Sequence, residues 1–116
     1  MKLRALLSTL QARRRARVRA RAIAYIARDL SERGFGVDFS VLPPRMQDVA
    51  IAAAHHAIIS AGAAKGWSRR RSEAFFGRGG AAIARACRCR DGLTHDKPEQ
   101  YPTTWEGWAR FTRGPG

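Results

Sequence analysis

The sequence predicts an all-α fold: a small bundle of three main helices around a buried, alanine-rich central helix, with a short C-terminal helix. Three observations lead there. Residues 49–64 read VAIAAAHHAIISAGAA, sixteen positions without a charge. At 100° per residue their apolar side chains surround the axis, and a helix apolar on nearly every side is a buried one. Much of the 45% hydrophobic fraction is alanine, the best intrinsic helix former, while the strand-favouring valine and isoleucine are scarce. The segments flanking the central run are amphipathic and rich in arginine. A chain of 116 residues has the length of one domain. That domain spans 1–112, with 113–116 as a tail.

The first helix covers residues 1–33, with Gly34 at the position after its end. Leu3, Leu7 and Leu10 share a stripe whose continuation meets Arg14, Arg17, Arg21 and Arg28. The second half turns another side inward: Ala12, Ala16, Ile23, Ile26, Ala27 and Leu30. The apolar side thus swings by about half a turn between the halves. Either the helix breaks near residues 11–13, or its leucine end reaches past the core to another surface. In the second case Leu3, Leu6, Leu7 and Leu10 meet a partner or a second copy.

In residues 34–44, Phe35, Val37, Phe39 and Val41 alternate with small or polar residues. One strand has nothing to pair with except a second copy in a dimer, so an extended connection that pins its aromatics on the helices is expected. Pro43 and Pro44 then open the central helix, 44–65. Ile51, Ile58 and Gly62 lie on one stripe with His55; Val49 and Ala53 lie opposite with His56. Gly66 closes this helix and Ser68 caps the third, 68–90. On it Phe76, Gly80, Ile83 and Cys87 line one face, and Arg71, Arg78 and Arg85 the other at heptad spacing. Gly77, Gly79 and Gly80 weaken the helix by up to about 1 kcal/mol each. They bend it, or let it approach the central helix closely. Residues 91–102 read as a loop. Thr103 facing Glu106 resembles a capping box for a short helix, 103–111, carrying Trp105, Trp108 and Phe111.

Charge is the strongest functional signal. Twenty-two basic residues face nine acidic ones, for a net +13, and nineteen of the basic residues are arginine. A GC-rich coding bias explains arginine over lysine and leaves the excess of base over acid unexplained. That excess implies a polyanionic partner: nucleic acid, an acidic protein surface or an anionic membrane. The candidate phosphate contacts are Arg13, Arg14, Arg15, Arg17, Arg21 and Arg28, with Arg69, Arg70, Arg71, Arg78 and Arg85. Seven arginines lie between positions 13 and 28 with no acid before Asp29. Arginines on a merely solvated helix face usually carry acids at i,i+4.

Three further patterns bear on function. Residues 58–76 have the outline of a helix-turn-helix, with Arg69, Arg70 and Arg71 leading the second helix, where a recognition helix meets DNA. Against it, Ser72 stands at the inward position where an aliphatic residue is expected, and Gly62 where alanine is usual. Cys87-x-Cys89 with His95, and His55 or Asp96 as a fourth ligand, outlines a zinc site. Structural zinc prefers two Cys-x₂₋₄-Cys-type pairs, so two free thiols and no metal or cofactor are expected. His55 and His56 face opposite sides and do not suit one ion. For catalysis there is no Gly-x-Ser-x-Gly, phosphate loop or HExxH, and Gly77-Arg-Gly-Gly80 is too short for a dinucleotide fingerprint.

The expectation is a non-enzymatic nucleic-acid-binding protein that contacts the phosphate backbone through arginine faces. The alternative is a protein-binding module, such as a phage or mobile-element inhibitor or virion assembly subunit. It would set its arginines on an acidic surface and place Leu3, Leu7, Leu10, Trp105 and Trp108 in apolar pockets. Tryptophan and arginine mixed on one exposed patch favour the protein partner; arginine without aromatics favours phosphate. The leucine stripe also points to a homo-oligomer. No run reaches 18 apolar residues, so no membrane span is expected. Without a secretory signal a reduced cytoplasmic compartment is the default, although residues 1–28 have the composition of a mitochondrial presequence.

Overall fold

A computed structural model describes residues 2–89, 102 and 104–113. Among them the chain is all-helical, with five α-helices packed together and no strand. No described helix is long and apolar enough to cross a membrane.

Helix α1, Lys2–Glu32, runs without a break. No glycine or proline interrupts it, and alanine, leucine and arginine all propagate a helix well. Of the two outcomes left open by its swinging face, the second holds. Ala22, Ile26 and Leu30 are buried, with Val18, Ile23 and Ala27 packed beside them. The turns before Val18 extend beyond the core, so Leu3, Leu6, Leu7 and Leu10 are exposed. Ala12 and Ala16, expected to face inward, are exposed for the same reason.

Gly34, at φ 89°, ends α1 in a Schellman motif. Its N–H donates to Ser31 at 3.0 Å, and Phe35 N–H to Leu30 at 2.8 Å. The following connection is pinned as expected: Phe39 and Leu42 are buried, and Phe35 and Val37 pack against the core. A 3₁₀ turn at Phe39–Val41 breaks the alternation and leaves Val41 exposed. The Asp38 carboxylate caps this turn. It accepts from the Ser40 hydroxyl and backbone N–H, which together hold its carboxyl below the usual range. The Gln47 amide donates back to the Phe39 and Leu42 carbonyls at 2.9 and 3.2 Å.

Pro43 and Pro44 open α2, Pro44–Ala64. It buries Val49, Ala50, Ile51, Ala54, Ile58 and Gly62. The helix is not buried all round, as its composition had suggested. His56, Ala57, Ser60 and Ala61 face solvent, where an exposed methyl costs little. The bulk of the core comes instead from large side chains such as Leu30, Ile51 and Trp108.

The third helix is two helices: α3, Arg69–Phe75, and α4, Gly77–Cys89. The break comes at Gly77, whose φ of 63° belongs to the left-handed region. Past it, α4 folds back so closely on α3 that a Cβ at Gly80 would overlap the Glu73 carbonyl. Packing against α1, α2 and α3 makes α4 the hub of the fold. The break also ends the expected row Arg71–Arg78–Arg85, since Arg71 now belongs to another helix. Helix α5, Trp105–Arg113, buries Trp108 and Ala109. Its cap is Thr104, whose hydroxyl accepts the Gly107 N–H at 3.1 Å. Thr103, the expected cap, lies outside the described residues.

The α2–α3 junction follows the expected signals. Gly66, at φ 76°, ends α2 in a second Schellman motif, with Trp67 N–H donating to Gly62 at 2.9 Å. The Ser68 hydroxyl accepts the Arg71 N–H at 3.2 Å. Ser72, 1% exposed, donates its hydroxyl to the Ser68 carbonyl at 2.8 Å. It sits directly on Gly62, where an added Cβ would overlap the Ser72 side chain. Gly62→Ala is therefore expected to cost about 1–3 kcal/mol, the usual range for overpacking. In urea denaturation, adding Ser72→Gly should make the double substitution less costly than the sum of its parts. A neutral Gly62→Ala would contradict this packing.

Candidate nucleic-acid interface

Helices α1 and α4 meet along a shallow groove of about 200 Å³ lined by Val18, Arg21, Arg78, Ala81, Ala82 and Arg85. The spacing produces it. Arg78 and Arg85 are two turns apart on α4, with Ala81 and Ala82 between them as a low floor. Arg21 comes from α1 across the groove, and Arg14 and Arg17 precede it on the same stripe, both exposed. None of Arg14, Arg17, Arg21, Arg78 and Arg85 has an acidic partner among the described residues.

Five of the acids are engaged elsewhere. Asp48 takes Arg19 in a fork at 2.8 and 3.1 Å, the two side chains only 18% and 21% exposed. Glu32 pairs with Arg28 at 3.3 Å and Asp29 with Arg33 at 3.2 Å. Glu73 points inward to His55 Nε2 at 2.7 Å, joining α3 to α2. Asp38 caps its own turn. Among the described residues the α1–α4 groove is therefore lined by Arg21, Arg78 and Arg85 with no acid beside them.

The other expected contacts are distributed differently. Arg28 belongs to its i,i+4 pair. Arg13 is exposed on α1 and Arg15 half-buried. Arg69 and Arg70 are exposed on the first turn of α3, while the Arg71 guanidinium lies 4.6 Å over the Trp67 ring. The two departures from a helix-turn-helix pattern prove to be one contact, since the glycine at 62 makes room for the serine at 72. Helix α3 has only seven residues.

Among the expected partner contacts, Leu3, Leu7 and Leu10 are exposed and Trp105 is half-buried. Trp108 is 1% exposed and part of the core, so its ring is not open to a partner. It stacks edge-on with Phe111 at 5.7 Å. The Cys87 thiol lies 3.8 Å from the Ile51 carbonyl, and no cluster of three metal-ligating residues occurs among the described residues. His95, Asp96 and the Cys89 side chain lie outside them.

One cluster escaped the sequence reading. At the α2–α3 turn Trp67 packs 5.1 Å from Phe75, and Phe75 5.3 Å from Phe76. Lys65 Nζ lies 5.0 Å over Trp67 and 5.6 Å over Phe75. The signal was available as cationic and aromatic residues alternating through 65–76, but no periodicity links a turn to the helix after it. The criterion that separates phosphate from protein partners thus divides the surface: arginine without aromatics in the groove, and both together at the turn.

No family model matches this chain, and neither a curated protein nor a solved structure does.

The two classes of arginine predict different losses. Arg19→Ala leaves a largely buried Asp48 without its fork and should cost about 1–3 kcal/mol. Arg21→Ala, two positions on, should change stability by less than about 0.5 kcal/mol. Thermal or chemical denaturation of both variants checks this, and equal losses would contradict the division.

Proposed function

We propose that this chain binds nucleic acid without catalysing a reaction, holding phosphates in the α1–α4 groove. The observation that supports this reading is the convergence of Arg21, Arg78 and Arg85 on one groove, continued by Arg17 and Arg14 along α1. Arginine's planar fork suits phosphate oxygens, and its weak hydration lowers the cost of taking it from water. Contacts of this kind set affinity and position without reading bases. The reading goes with a reducing, cytoplasmic setting.

A protein-binding module of the phage or mobile-element type is the second reading. It is supported by the exposed Leu3, Leu7 and Leu10, which also suit self-association, and by the mixed patch at the α2–α3 turn.

Salt dependence separates the two. With about five phosphate contacts, the slope of log K against log salt on duplex DNA should be near −4.5, at about −0.9 per contact. Arg21→Ala should flatten it by about one unit and weaken all sequences alike. In a protein complex rim arginines alter mainly the association rate. A folded protein that binds neither DNA nor RNA at low salt would overturn the first reading.

A further inference from the structure

The turn between α2 and α3 holds chemistry that backbone contact does not use. Phe75 is 63% exposed and Phe76 42%; Phe75 stands beside Trp67 and Phe76 packs edge-on against Phe75, so the three rings form one shelf. Lys65 and Arg71 are seated over the Trp67 ring, which fixes that ring by cation–π attraction. Phe75, 5.6 Å from the same Lys65 Nζ, is nonetheless the most exposed ring of the three. Arg69 and Arg70 are exposed on the adjoining turn. The one carboxylate of α3, Glu73, is turned to His55 at 2.7 Å, so none on this helix neutralises the shelf.

We propose that this shelf stacks unpaired bases, so that the nucleic acid this chain takes is single-stranded. The proposal rests on the nucleic-acid reading and names its substrate class. A duplex hides its ring faces and offers mainly phosphate, for which bare arginines suffice. A single strand offers phosphates and ring faces together, and every base has a face to stack. Aromatics mixed with arginine therefore point to a protein only when the bases are hidden. The two surfaces also connect. Phe76 and Arg78 line one cleft of about 660 Å³, and Arg78 lines the groove with Arg21 and Arg85. A strand whose phosphates lie in the groove reaches the aromatic shelf past Arg78. An acidic protein surface would satisfy the cations and leave the flat ring of Phe75 without a matching face.

Fluorescence anisotropy with labelled oligo(dT), oligo(U) and a duplex of equal length tests this. The proteins are wild type, Phe75→Ala, Phe75→Leu, Phe75→Tyr and the pair Arg21→Ala/Arg85→Ala, each checked for helix content by circular dichroism. At least one single strand should bind more tightly than the duplex. Phe75→Ala and Phe75→Leu should weaken it roughly fivefold or more, with duplex binding unchanged and Phe75→Tyr close to wild type. The arginine pair should weaken all three probes. If Phe75→Ala leaves both single strands bound as before or weakens the duplex equally, or if Phe75→Leu binds like wild type, stacking is overturned while duplex binding keeps the groove reading. If no probe binds, both readings fall and the shelf belongs to a protein partner.

Discussion

Close approach of helices at small residues governs how this chain folds. Gly62 admits Ser72, and Gly80 admits the Glu73 carbonyl. Ala22 of α1 and Ala50 of α2 are fully buried in the same core. Alanine and glycine bury little area each, so contact must be tight for such a core to hold. Only a narrow inner stripe of each helix is needed, and a few large side chains, Leu30, Ile51 and Trp108, fill the centre. The wide outer faces are then free to carry arginine. Structure and charge are coupled in this way, because a broader apolar core would have required those same positions.

The acids complete the pattern. Asp48 ties α1 to α2 through Arg19, and Glu73 ties α3 to α2 through His55. Asp29 and Glu32 balance arginines at the end of α1. Each of these carboxylates serves the fold, which leaves the α1–α4 groove without one among the described residues.

Local signals were the most legible part. Gly34, Pro44, Gly66 and Ser68 each mark a helix end at or next to the position that backbone chemistry assigns it. Periodicity within one helix placed Arg14, Arg17 and Arg21 on one stripe, and Arg78 and Arg85 on another. What lay beyond reach involved relations between elements. The glycines of 77–80 allowed either a bend or a close contact, and the chain does both, with Gly77 turning and Gly80 touching. Alanine does not report its own exposure, so one open side of α2 was invisible. Aromatic spacing could not tell a buried Trp108 from a docking one, and Trp67, lying between helices, belonged to no stripe.

On the proposed reading Arg21, Arg78 and Arg85 act as one phosphate site. Each arginine Nε–Hε group gives its own NMR signal, and these signals can be followed during titration with an oligonucleotide. The Arg21, Arg78 and Arg85 signals should shift together and saturate at one concentration, while Arg19, held by Asp48, stays in place. Shifts confined to the Leu3–Leu10 end, or three arginines titrating independently, would contradict it.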